Sequence, residues 1–302
     1  MMSETKQNGF INILKPSRMN SNFAVVGVRK LLDRGVKVGH MGTLDPAAAG
    51  VLPIGLGFAA RLFDYVIDKE KEYICEVTFG ISTDTQDAQG KIISRASADV
   101  KLSDLQGIIP AFTGDIMQTP PAYSAVVKDG RKLYSIARSG GDVSVPERPA
   151  RVEEIEILDN PGANRYMLRV VCGRGTYIRT ICSDLGDALG TGAYCSFLLR
   201  SRAGCFTLEN SVRLDALNPQ NVSDHLLPVD LPIMHMPHVS AGEDLRSAIR
   251  NGIPLSLEKY ENGAVLSEGE LARIYLLGNF VGVGRAQGGN LRFMCLKPVG
   301  EM

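Results

Sequence analysis

The sequence predicts an α+β fold: a domain built around a mixed, largely antiparallel sheet, followed by a small all-β module. Three observations carry this. Strand and helix patterns mix without the regular alternation of a doubly wound parallel fold. Hydrophobic residues make up 44% of the 302 and charged residues 22%, enough apolar material for a substantial core and too much for disorder. Past about Pro237, short apolar runs punctuated by glycine replace the helical patterns. The expected division is therefore a domain over residues 1–236 and a module over residues 237–302.

The elements follow in chain order. Ile11 to Leu14 reads as a short strand stopped by Lys15-Pro16. Ser21 or Asn22 then offers an N-cap, and Val25, Val28, Leu31 and Leu32 recur at helical spacing. From Glu72 to Phe79 the residues alternate, with Tyr73, Cys75, Val77 and Phe79 on one face of a strand. A loop-rich stretch from Lys128 to Arg151 carries six basic against three acidic residues, a local excess of +3 that suits either a solvated loop or a phosphate-contacting arm. Leu168 to Cys172 is a second strand. It leads through Gly173-Arg174-Gly175 to a helix whose face is Ile178, Ile181, Leu185 and Leu189. In the module, Ile274 to Leu277 and Phe280 to Val283 flank Gly278-Asn279, a two-residue hairpin signal. Gly288-Gly289-Asn290 leads into a last strand, Leu291 to Leu296.

Composition narrows the function. The 33 basic and 33 acidic residues balance, which argues against a nucleic-acid partner unless a local basic patch supplies the charge. The polar start, Met1 to Phe10, does not resemble a signal peptide, and the uncharged run Pro46 to Ala60 is broken by Gly50, Pro53, Gly55 and Gly57. A cytoplasmic protein with no membrane association is expected. The six cysteines contain no C-x-x-C pair, so they are read as buried thiols of a reducing compartment, and no metal is expected.

The densest chemical cluster is Gly39-His40-Met41-Gly42-Thr43-Leu44-Asp45-Pro46, continuing to Gly50-Val51-Leu52-Pro53-Ile54-Gly55. Asp before Pro commonly starts a turn, and glycines only permit tight paths. Neither G-x-G-x-x-G nor G-x-x-x-x-G-K-[ST] is present, so this is no phosphate loop. What raises the cluster above a turn is a polar loop carrying His40 and Asp45 that runs directly into an apolar segment able to anchor it.

The string G-H-x-G-T-L-D-P-x-A-x-G-x-L-P resembles the catalytic motif of the bacterial tRNA pseudouridine-55 synthases, the TruB family. Further matches appear in that family's order. They are Lys15-Pro16 with Asn20-Ser21, Lys71-Glu72-Tyr73, Thr83 to Gly90, Gln118 to Ala125, Gly175 to Thr180, and Phe197-Leu198-Leu199-Arg200. The resemblance covers residues 9 to about 235.

It implies a pseudouridine synthase fold and an isomerase that needs no cofactor. The substrate would be the T-arm stem-loop of tRNA, where the uridine at position 55 is flipped out and its C1′–N1 bond exchanged for C1′–C5. Asp45 matches the family's nucleophile, Arg179 the arginine that pairs with it, and Tyr73 the tyrosine that stacks on the target base and handles the C5 proton. Tyr177 and Leu198 match substrate-lining positions, and His40 the histidine that fills space vacated by bases leaving the T-loop. The tail resembles a PUA-like RNA-binding module, and residues 124–151 an RNA-contacting insertion that orders when tRNA binds. A monomer acting without guide RNA is implied, since the chain has no long basic tail. The same surface would serve a tRNA-folding factor that opens and reforms the elbow.

Overall fold

The computed structural model describes residues 7–66, 70–124, 126–128, 130–139, 145–260 and 265–297. Among these, the first half of the chain forms β1 (Gly9–Lys15), α1 (Ser21–Arg29), β2 (Val38–His40), β3 (Ala49–Leu56), β4 (Lys71–Phe79), β5 (Ile81–Thr83), β6 (Ile92–Arg95), α2 (Leu102–Ile108), β7 (Gly114–Gln118), β8 (Val127–Lys128), β9 (Arg131–Lys132) and α3 (Leu133–Arg138). Then come β10 (Arg148–Gly162), β11 (Arg165–Cys172), α4 (Ile178–Ala188), β12 (Ala193–Ala203), β13 (Phe206–Thr207) and β14 (Val212–Arg213). The module holds β15 (His238–Ala241), α5 (Arg246–Arg250), β16 (Leu255–Ser256), β17 (Leu271–Leu276), β18 (Asn279–Gln287) and β19 (Asn290–Leu296).

Ten strands make one sheet in the order β14-β1-β3-β12-β4-β11-β10-β7, with β2 on β3 and β13 on β12. Only β1–β14 and β3–β12 run parallel, so the sheet is largely antiparallel, as the mixed patterning predicts. Its centre is β4, where Tyr73, Cys75, Val77 and Phe79 are buried and the alternate residues are less so. That face packs beneath α4, whose Ile178, Ile181, Cys182 and Leu185 are buried against β4 and β12. Each such aliphatic side chain contributes about 1.5–3 kcal/mol on leaving water.

A second sheet, β15-β17-β18-β19-β16, starts at His238. Its own core joins Val239, Ile249, Ile274 and Leu291. Phe58 and Leu62 after β3 pack with Phe280, Val283 and Cys295, so the two sheets share an apolar seam. Among the described residues, no helix is long and apolar enough to cross a membrane. All six cysteines are free, and all but Cys205 are buried.

Three local expectations need correction. The N-cap of α1 is Asn20, whose side chain accepts from the Asn22 N–H at 2.8 Å, because the Ser21 hydroxyl is engaged elsewhere. The helix stops at Arg29, and Leu31 and Leu32 reach the core from the following turn. The loop-rich stretch from 128 to 151 also carries regular elements that the sequence reading did not assign. It holds the β8–β9 hairpin and α3, and from Arg148 it belongs to β10, which pairs with β7. Arg151 there is engaged by Glu153 at 3.0 Å and Asp115 at 3.3 Å, which removes one cation from the expected excess. Asp129, Gly140, Gly141 and Asp142 of that stretch lie outside the described residues.

Candidate active site

Asp45 sits in the connection between β2 and β3. These strands pair His40 with Ile54, and the Met41 N–H donates to Pro53 O at 2.9 Å, which closes the base of the loop. Every backbone carbonyl from Gly42 to Ala48 then accepts a hydrogen bond. Arg200 donates to Gly42 O (3.4 Å) and Thr43 O (3.2 Å). Ser21 Oγ donates to Leu44 O (2.6 Å) and accepts from the Leu44 N–H (2.9 Å). Asp45 O accepts from the Ala48 N–H (3.1 Å) and Pro46 O from the Arg18 N–H (2.6 Å). Ser17 Oγ donates to Ala47 O (2.7 Å), and Lys15 Nζ donates to Ala48 O. A loop whose carbonyls are all engaged, most of them by groups outside the loop, is held to one conformation. Lys15, Ser17, Arg18 and Ser21 all fall between the last residue of β1 and the first of α1, both included.

Gly50 is needed where this loop enters β3. Its φ of 113° is left-handed, and a Cβ there would lie 2.2 Å from Arg200 O on the neighbouring strand β12. That approach brings Arg200 under the loop. The residue is fully buried and also donates to Val51 O at 2.8 Å.

Arg179, on the first turn of α4 and 4% exposed, donates from Nη2 to Asp45 Oδ2 at 2.8 Å. Its Nη1 donates to Thr85 O (2.8 Å) and its Nη2 also to Tyr123 O (3.1 Å), with Asp87 Oδ2 3.6 Å from Nη1, while the buried Nε has no partner among the described residues. One guanidinium therefore bridges two carboxylates and two backbone carbonyls, which fixes the Asp45 side chain while leaving it 32% exposed. The Thr83 to Gly90 turn shapes this contact: Asp87 accepts from Thr85 Oγ1 (2.6 Å) and the Gln89 N–H (2.9 Å), turning Thr85 O toward Arg179.

Asp45, Arg179 and Leu198 line one cavity of about 250 Å³, together with Asp87, Gln89, Arg18 and Phe197. Tyr73 lies beside it and is only 7% exposed. Burial pushes its phenol above the ordinary value, with the Arg200 charge opposing and the Asp45 charge adding to the rise. The neutral hydroxyl is thus the resting form. Tyr177 caps α4 two residues before Arg179, and its backbone is clamped by Gln118, which accepts from the Tyr177 N–H (3.0 Å) and donates to Tyr177 O (3.2 Å). His40 is placed elsewhere, in a separate cavity of about 460 Å³ with Lys71, Arg174 and His235. Burial, followed by the Arg200 cation, pulls the Lys71 ammonium down to about 8.

The structure thus brings Asp45, Arg179 and Leu198 together, sets Tyr73 beside them, fixes the backbone of Tyr177 two residues before Arg179 without placing it in the cavity lining, and separates His40. Sequence reasoning missed Asp87 and Arg200 as site residues, although both stand within matched motifs. Arg200 carried a usable signal: it falls in the same inward register of β12 as Leu198, where a charge requires a partner. For Asp87 no comparable signal exists, because its partner comes from a helix about 90 residues away.

Residues 29–178 match the N-terminal domain of the TruB family pseudouridylate synthases, and residues 179–233 match the tRNA pseudouridylate synthase B C-terminal domain. The chain is 42% identical over 254 residues to the tRNA pseudouridine synthase B of Syntrophomonas wolfei, covering 82% of this chain and 85% of that protein. To the protein of the same name from Clostridioides difficile it is 37% identical over 286 residues, covering 92% and 94%. Among solved structures, a chain of a Cbf5-Nop10-Gar1 complex superposes with a TM-score of 0.72 at 25% identity, over 97% of this chain and 86% of that one.

Proposed function

The chain belongs to the TruB family of pseudouridylate synthases, and we propose that it isomerises the uridine at position 55 in the T-loop of tRNA with Asp45 as its catalytic carboxylate. The single observation that carries the assignment of Asp45 is its ion pair with the buried Arg179 at the floor of the cavity. The pair leaves one carboxylate face open to a substrate. At about 250 Å³ the cavity lies below the range of roughly 300–1,000 Å³ usual for larger ligands, which suits a single extruded nucleoside.

The chemistry asks little beyond that carboxylate. The C1′–N1 bond breaks, the uracil turns, and C1′ bonds to C5. The C5 proton leaves and N1 gains one, so atoms and electrons balance within the substrate and solvent. Asp45 assists either by attack on the ribose or by promoting loss of a ribose proton. Arg179 holds and orients it through their ion pair. Tyr73 offers a ring and a neutral hydroxyl next to Asp45, and Leu198 supplies an apolar wall. His40, in its separate cavity, is assigned to the RNA strand around the target rather than to the reacting base.

A tRNA substrate is read from the relatives' names and its T-arm from the motif resemblance, and the identities of 42% and 37% to tRNA pseudouridine synthases, against 25% to a chain of a multi-protein complex, favour an enzyme that acts alone. In this reading residues 1–236 are the catalytic domain, acting in the cytoplasm. Residues 237–302 form a PUA-like RNA-binding module, and the insertion near 124–151 contacts the substrate.

Tritium release from a tRNA transcript labelled at uridine C5 tests the reading. Stoichiometric release from the wild-type transcript is expected, with none from a transcript carrying cytidine at position 55. Equal release from both would remove the position assignment, and no release from any tRNA would remove the activity.

A further inference from the structure

Two residues of the catalytic cavity, Arg18 and Phe197, have no part in the chemistry above. Arg18 is exposed, and its backbone is left-handed, with φ at 67°. Few side-chain-bearing residues adopt that conformation, and glycine takes it freely. The strain persists because the Arg18 N–H is tied to Pro46 O, next to Asp45. An arginine here therefore gains nothing for the backbone. Nor is its charge used among the described residues, where Arg18 forms no ion pair, whereas Asp45 across the cavity is held by Arg179.

Phe197 presents a complementary oddity. It belongs to β12, in the interior of the large sheet, yet is 45% exposed. A register shift between Cys195 and Phe197 turns the ring out of the alternation, while Leu198 stays inward. The cavity thus has on one wall a guanidinium with no ion-pair partner among the described residues, and on another an open aromatic face.

We propose that Arg18 and Phe197 form a clamp for the RNA strand entering the cavity, with Arg18 binding a phosphodiester next to the extruded uridine and Phe197 stacking on a base. Guanidinium suits the phosphate oxygens in fork geometry, and aromatic faces accept any base. This inference rests on the proposed RNA substrate.

The test measures tRNA affinity against salt, together with thermal melting, for wild type, Arg18→Gly, Arg18→Lys and Phe197→Ala. Arg18→Gly is expected to raise Kd about tenfold near 0.1 M salt. The salt slope should become shallower by about 0.7–0.9. Its melting temperature should equal or exceed that of wild type, since glycine suits the left-handed backbone. Arg18→Lys should retain the slope while losing part of the affinity, and Phe197→Ala should weaken binding with no change in slope. Unchanged Kd and slope in Arg18→Gly would overturn the proposal, as would a lower melting temperature, which would make Arg18 structural. A wild-type protein that neither binds nor isomerises tRNA would instead defeat the functional reading itself.

Discussion

The loop around Asp45 and the arm near residue 130 are both exposed polar connections, and they are held in opposite ways. The loop's carbonyls are bound by side chains distant in sequence: Ser21 and Leu44 are 23 residues apart, Lys15 and Ala48 33, Arg200 and Gly42 158. The described contacts of the arm are local. The Leu133 N–H donates to Val126 O (2.7 Å) and the Tyr134 N–H to Ser124 O (3.1 Å), and Leu133 alone is fully buried while Val127 is exposed. The catalytic loop is therefore shaped only when the whole sheet has assembled. These backbone bonds stay within the arm. Under the proposed function, a carboxylate fixed by distant contacts beside a locally bonded arm would let the arm adapt to RNA without disturbing the carboxylate.

Substitutions that separate the two regions should fall in a clear order of stability loss. Arg200→Met leaves Gly42 O, Thr43 O and Val51 O without their donor in a buried setting, and should cost about 3–5 kcal/mol in denaturant unfolding, with activity falling alongside. Ser21→Ala removes both bonds to Leu44 and should cost about 1–2 kcal/mol. Full stability in either variant would mean the loop is held by other means.

A pH effect of smaller size is expected from α4, the helix that carries Arg179. Burial, then the Asp187 and Glu147 carboxylates, push Asp184 up to about 6. Its folded form therefore holds the proton more tightly than the unfolded chain. The stability this contributes is present at pH values below about 4 and is lost as pH rises through about 6. Asp184→Asn should flatten the stability profile between those values. Allowing for partial exposure, it should add roughly 1 kcal/mol at pH 7. A profile identical to wild type would place the Asp184 carboxylate in water. Smallest of all, Arg131→Ala in the arm should change stability by less than about 0.5 kcal/mol while weakening tRNA binding in a salt-dependent way. A stability loss as large as that of Ser21→Ala would tie the arm into the fold and end the contrast.

Much of this was legible in the sequence wherever local alternation governs. The burial of β4 follows the expected face residue by residue, since a central strand with one packed face must alternate. The β17–β18 hairpin was legible only to within one residue. Gly278-Asn279 gives the turn signal, yet the loop is Leu277-Gly278, with Leu277 at φ 50° and Leu276 paired to Asn279. That register keeps Leu276 buried and leaves Leu277 exposed, so packing overrode turn preference. Asp45 and Arg179 were legible through motif resemblance. What no string of residues contains is how Asp87 and Arg200 converge on them, because those contacts join strands and turns remote in sequence. The separation of His40 from Asp45, only five positions apart, likewise depends on how β2 ends and the loop turns away.

The most direct test of the catalytic assignment is single-turnover tritium release from C5-labelled tRNA at saturating Asp45→Asn protein, with tRNA affinity measured in parallel. The carboxamide keeps the shape of the side chain and loses its nucleophilicity. The expected result is no detectable release, with Kd within about tenfold of wild type. Release near the wild-type rate would contradict the assignment and remove Asp45 from the reaction.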